Sequence, residues 1–182
     1  MTPFLSGMPA SFRDRKLGFW NIDPQPPGLE IDPGGTTWSD FIGCGSSPPS
    51  FFVSESVLRD LEENGIEILR KTEMPIAKIN AKRLQKESPP KYYILEAIPG
   101  IARAWDLMGI QLDGDGQPVP NLMPSPRPEA IYRTSSWNGL DLCSFSDAPQ
   151  TTCLICTDRV KELAETKGWT NVQFLLLKST TS

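Results

Sequence analysis

The chain of 182 residues contains no histidine. That absence removes the Ser-His-Asp and Cys-His nucleophile systems, every histidine-ligated zinc or non-haem iron site, and histidine as a general base. Cysteine is scarce as well: Cys44, Cys143, Cys153 and Cys156 are the only four. Cys153 and Cys156 are close, but they lie in Thr152-Cys-Leu-Ile-Cys-Thr157, an apolar run that reads as a strand. A redox CxxC belongs at a helix start, where the dipole activates one thiol. On a strand, positions three apart point to opposite faces, so the two sulfurs diverge. A Cys₄ zinc site needs a second close pair, which Cys44 and Cys143 do not supply. Buried, reduced thiols are the expectation, and they point to the cytoplasm.

Other things are missing. No apolar run approaches the roughly 18 residues needed to span a bilayer. The opening MTPFLSGMPASFRDRKLG lacks the basic-then-apolar order of a secretory signal, so no membrane association is expected. Neither phosphate-binding loop, GxGxxG or GxxxxGK[ST], is present, nor the G-x-S-x-G elbow, and no cofactor is expected. Positive charge is outweighed: 18 Lys and Arg against 22 Asp and Glu give −4 and a sequence pI near 4.9. Nucleic acid is therefore not the expected partner, since phosphate binding needs clustered bases. An acidic surface suits solubility, or a basic protein partner.

Proline, at 18 residues, is abundant. Residues 1–50 read as loop-rich, because Pro24, Pro26, Pro27, Pro33, Pro48 and Pro49 interrupt helices and central strands. Phe19, Trp20, Trp38 and Phe41 pin that segment to a core, and Leu17 to Ile22 reads as a short edge strand. Residues 51–116 read as a first α+β lobe. Phe51-Phe52-Val53 is a strand, Ser54 an N-cap, Val57, Leu58 and Leu61 an apolar stripe, and Asn64-Gly65 a stop. Ile66, Ile68 and Leu69 read as the next strand, and Tyr92 to Ile98 as another. Residues 117–135 form a proline-rich seam. Residues 136–182 form a second lobe with the same grammar: Leu154 to Cys156 a strand, Thr157 a cap, Val160, Leu163 and Ala164 a stripe, Gly168 a stop, and Val172 to Leu177 a strand. Ser54 to Gly65 and Thr157 to Gly168 have the same spacing, so the two units read as a repeat. The expected fold is α+β: two similar strand–helix–strand lobes on mostly antiparallel sheet, forming one compact unit.

Two classes of function fit these residues. Carboxylates alone can do glycosidase-type work, and Glu96, Asp106, Asp141 and Asp147 could converge on a cleft between the lobes. The other class is a binder. Asp113-x-Asp115 looks in passing like a calcium loop, but Pro124 stands where a bidentate Glu is needed.

Phe52-Val-Ser-Glu-Ser-Val-Leu-Arg-Asp-Leu-Glu-Glu-Asn-Gly-Ile66, Tyr93-Ile-Leu-Glu-Ala-Ile98, and Ser136-Trp-Asn-Gly-Leu-Asp-Leu-Cys-Ser-Phe145 running on to Cys153–Leu163 and Gly168–Phe174 carry a resemblance. Over roughly residues 50–178 the chain resembles bacterial immunity proteins of polymorphic toxin systems, of the double-CXXCG-motif (myxobacterial) type and the wider DUF1629-like family. The double-CXXCG relatives carry two Cys pairs that look like a zinc-ribbon site, and neither pair is present here, so metal binding is not carried over. The resemblance implies a non-enzymatic, cytoplasmic protein that neutralises a cognate toxin by occlusion. The acidic and aromatic residues expected on the toxin-facing surface are Glu62, Glu63, Glu67, Trp105, Asp113 and Asp115.

Overall fold

A computed structural model describes residues 5–9, 15–20, 28–32, 37–43, 51–79, 82–116, 118–119, 131–146, 154–176 and 178–180. Fourteen strands and two helices follow in the order β1 (Leu5–Pro9), β2 (Arg15–Trp20), β3 (Gly28–Asp32), β4 (Phe41–Gly43), β5 (Phe51–Ser54), α1 (Glu55–Glu63), β6 (Arg70–Met74), β7 (Ile76–Ile79), β8 (Tyr92–Glu96), β9 (Ile98–Ile101), β10 (Ile131–Arg133), β11 (Leu142–Phe145), β12 (Leu154–Cys156), α2 (Asp158–Lys167), β13 (Val172–Leu176) and β14 (Lys178–Thr180). A seven-stranded sheet has the order β6-β8-β5-β4-β2-β3-β7 and a five-stranded sheet β13-β1-β12-β11-β9, with β10 and β14 paired separately. The fold is α+β and mostly antiparallel.

Both helices form for the reasons legible in their sequences. The Val57 N–H donates to the Ser54 hydroxyl oxygen, and Glu55 places negative charge in the first turn of α1. Val57, Leu58 and Leu61 are buried, each worth about 1.5–3 kcal/mol relative to exposure. The two helices stop identically. Gly65 and Gly168 both adopt φ +68°, the left-handed conformation that costs an L side chain about 1–2 kcal/mol. The N–H groups of Gly65 and Ile66 donate to the carbonyls of Glu62 and Leu61, and those of Gly168 and Trp169 to Glu165 and Ala164. One difference concerns Thr157. It occupies the N-cap position of α2, but its hydroxyl makes no cap bond and donates to Asp141 Oδ1 at 2.6 Å.

The repeat extends through the sheets. β8 lies between β5 and β6, antiparallel to both, and β1 lies between β12 and β13 in the same way. The registers coincide. Val53↔Tyr93 and Glu73↔Tyr93 in the first unit correspond to Cys156↔Leu5 and Leu176↔Leu5 in the second, and Lys71↔Leu95 corresponds to Phe174↔Gly7. Moreover, β2, which follows β1, pairs parallel with β4, while β9, which follows β8, pairs parallel with β11. Each repeat therefore places its leading strand in the other repeat's sheet. The sheets cut across the lobe boundaries read from the sequence, since β9 joins the second lobe's sheet and β2 to β4 the first lobe's. Within 1–50, the prolines Pro27 and Pro33 flank β3 and leave it intact. β2 is not an edge strand, because β3 and β4 lie on either side of it. The strand expected at Ile66 to Leu69 starts at Arg70 instead. Ile66 is buried in the core as the residue after the helix stop. Residues 120–130 of the seam, with Cys44, Cys153 and Asp147, lie outside the described residues.

Alternation along the strands separates three clusters. Phe41, Val53 and Leu95 face a core shared with Val57, Leu61, Leu142, Cys156 and Val160, so both units contribute to one interior. Their neighbours Ile42, Phe52 and Tyr92 point the other way with Met74. Cys143, Phe145 and Ile155 form a third cluster with Ile101 and Tyr132.

Candidate functional site

Two aspartates hold the unit ends. Asp40 precedes β4: its Oδ1 accepts from the Ser54 and Ser56 hydroxyls at 2.9 and 3.1 Å, and its carbonyl accepts from the Ser54 N–H. Its Oδ2 accepts from the N–H and the hydroxyl of Thr170, both at 2.9 Å, which ties the first helix cap to the loop before β13. Asp141 precedes β11 and does the same for α2. It accepts from the Thr157 hydroxyl and N–H, and its Oδ2 accepts from Arg159 at 2.6 Å. Arg159 also donates to the carbonyl of Asn64. A third aspartate, Asp60 of α1, faces the second unit. Its Oδ2 accepts from Trp169 Nε1 and its Oδ1 from Lys167 Nζ, each at 2.9 Å. Burial pushes the Asp60 carboxyl up, but those two partners outweigh it and hold the carboxyl below the usual carboxylate range. The first pair has a common sequence signal: each aspartate follows a tryptophan closely (Trp38, Trp137) and opens a short apolar strand.

The residues expected at a partner surface fall into separate groups. Glu62 and Glu63 end α1, and Glu67 follows its stop. All three are exposed, and Glu62 pairs with Lys71. Asp113 and Asp115 are exposed on a turn in which the Asp115 N–H donates to Asp113 Oδ1 at 3.0 Å. That bond uses the carboxylate to shape the turn. Trp105 is partly buried, with the Arg103 guanidinium 4.8 Å from its ring centroid and 4.0 Å from that of Phe145. Trp105 Nε1 is buried without a hydrogen-bond partner among the described residues.

Of the four candidate catalytic acids, Asp147 lies outside the described residues and the other three form ion pairs: Glu96 with Arg70, Asp106 with Arg133, and Asp141 with Arg159. The Arg133 hydrogen bond holds Asp106 below the usual carboxylate range. Between the units lies a cavity of about 30 Å³ lined by apolar side chains, among them Phe41, Leu95, Leu154, Trp169 and Phe174. Cys143 and Cys156 are buried on opposite faces of neighbouring strands. Burial pushes the Cys143 thiol up to about 11. Among the described residues no group of three or more His, Cys, Asp or Glu side chains is placed to hold a metal ion, and no helix is long and apolar enough to cross a membrane. Comparison with known proteins finds no family model that matches the chain and no match among curated proteins.

Proposed function

We propose that the chain is a non-enzymatic binding protein that neutralises a toxin domain by covering its active cleft, acting in the cytoplasm of the producing cell. The observation that carries this reading is electrostatic. The C-terminal end of a helix is its negative end, where cations stabilise by about 0.3–1 kcal/mol and acids do not. α2 follows the rule with Lys167 in its last turn, whereas α1 has no base there. Instead α1 ends in Glu62 and Glu63, and Glu67 follows. Lys71 answers Glu62, but Glu63 and Glu67 form no ion pair among the described residues. Arg159, which donates to the Asn64 carbonyl, and Lys167, which pairs with Asp60, compensate this helix end from the second unit. What marks a surface kept for another purpose is the exposed pair Glu63 and Glu67, which no base answers among the described residues. Three exposed acids on one helix end suit a basic partner, and the net charge of −4 adds long-range attraction. The resemblance of residues 50–178 to immunity proteins supplies the partner's class.

This reading expects a large protein with a carboxyl-terminal toxin domain to be encoded immediately upstream, and the test is co-expression with that domain. Protected cells and a co-purifying complex are expected. The combined change Glu62→Lys, Glu63→Lys and Glu67→Lys is expected to abolish protection while the circular dichroism spectrum stays native. Cell death despite the unmodified protein, with no complex formed, refutes the reading.

A further inference from the structure

Four strands close the two large sheets: β6 and β7 end the seven-stranded sheet, β9 and β13 the five-stranded one. A sheet end presents unpaired N–H and C=O groups, and proteins guard such ends with charge, proline or a very short strand. β6 is guarded by exposed Arg70, Lys71 and Glu73, which pair with Glu96, Glu62 and Lys91. β7 carries exposed Lys78, and β9 is four residues long and contains Pro99. β13 has none of these devices. Val172-Gln-Phe-Leu-Leu176 is free of charge and proline, and Leu176 is 79% exposed. Among the described residues no strand lies beyond it in the sheet. Because β6 and β13 hold the same place and register in the two repeats, the fold does not impose this difference.

We propose that the free edge of β13 pairs antiparallel with β13 of a second copy of this chain, joining two five-stranded sheets into one. An extended strand is the occupant that satisfies a row of backbone donors and acceptors. The side chains select this particular strand. Val172, Phe174 and Leu176 share one face by alternation. A two-fold axis at Phe174 sets Val172 opposite Leu176 of the second copy, so each exposed leucine is covered by an apolar side chain and the two phenylalanines meet. The strand carries no charge, so like meets like without repulsion, whereas a charged segment finds no opposite charge here. The pairing uses no residue of the acidic end of α1 and stands or falls independently of toxin binding.

Sedimentation equilibrium and light scattering on the full chain, at concentrations up to about 100 μM, test the proposal. A mass twice the 20.2 kDa of one chain is expected, with β13 amide exchange slowing as concentration rises. Leu176→Lys and Gln173→Lys, both at exposed positions, are expected to weaken the dimer by about tenfold or more. Thr72→Lys at the guarded β6 edge is expected to leave it unchanged. If Leu176→Lys fails to fold, Gln173→Lys decides. A monomer at every concentration overturns the proposal, whether its β13 amides exchange quickly or are shielded by the chain itself. A dimer that natively folded Gln173→Lys leaves intact overturns it as well.

Discussion

Asp60→Ala removes an acceptor that two groups of the second unit share. Trp169 Nε1 and Lys167 Nζ both lie 2.9 Å from its carboxylate oxygens. The two contacts differ in weight. A hydrogen bond to a charged group contributes about 1.5–3 kcal/mol, and an indole N–H left buried without its acceptor costs about 1–3 kcal/mol. The Lys167 side chain is 41% exposed and regains water when released, so its share falls to about 0.2–1 kcal/mol, the range of surface ion pairs. The expected loss for Asp60→Ala is about 2–4 kcal/mol at neutral pH. Asp60→Asn keeps an oxygen for Trp169 and is expected to lose only about 1 kcal/mol. Urea unfolding followed by tryptophan fluorescence measures both, and the cycle of Asp60→Ala with Trp169→Phe isolates the coupling between the two residues. The sign of the pH dependence is fixed by the depressed carboxyl. Its contribution is complete above the unfolded pKa, near 3.8, and disappears as pH falls through the lower folded value. The gap between the natural chain and Asp60→Asn should therefore close at acidic pH. An Asp60→Ala loss below about 0.5 kcal/mol, or a gap that persists undiminished in acid, refutes this account of the contact between the units.

Three further outcomes follow from the fold and the buried thiols. Ser6→Pro removes an amide from a strand paired on both sides, with Ile155 and Leu175, so it should abolish the cooperative unfolding transition seen by circular dichroism. Native-like unfolding would place β1 elsewhere. Gly65→Ala and Gly168→Ala meet no atom within 4 Å and share φ +68°, so each should cost about 1–2 kcal/mol by urea unfolding, and by equal amounts. A marked inequality would show that the two helix stops are not equivalent. Cys143 should resist iodoacetamide at pH 8 in the native chain and react in urea, because burial keeps the thiol protonated. Peptide mapping that finds it labelled in the native state contradicts that.

Both helices, their stops and the strands around them were legible because their signals are local. Ser54 as a cap, the Val57–Leu58–Leu61 stripe and Gly65 require only a few neighbouring residues to be read. Thr157 likewise stands at the N-cap of α2, and only its hydroxyl's partner, Asp141 sixteen positions away, lies beyond local reading. At Ile66 to Leu69 the apolar residues mimic a strand start, although Ile66 is spent on closing the helix stop. The six partner-surface residues share only charge and ring chemistry, which gives sequence no means to group them. The structure puts Glu62, Glu63 and Glu67 at one helix end and Asp113 with Asp115 on a distant stretch of chain.

By itself the sequence determined the chemistry that is impossible without histidine, the α+β class, and the presence of the same strand–helix–strand grammar twice. Each of these depends on composition or on contacts within one turn or one strand. Only the tertiary structure decided where the leading strands go. β8 reads as a strand and β1 lies in the segment read as loop-rich, yet each is inserted into the sheet of the other repeat. Strand pairing is made by backbone groups that every residue carries, so the choice of partner rests on how both units bury their apolar faces in one shared core.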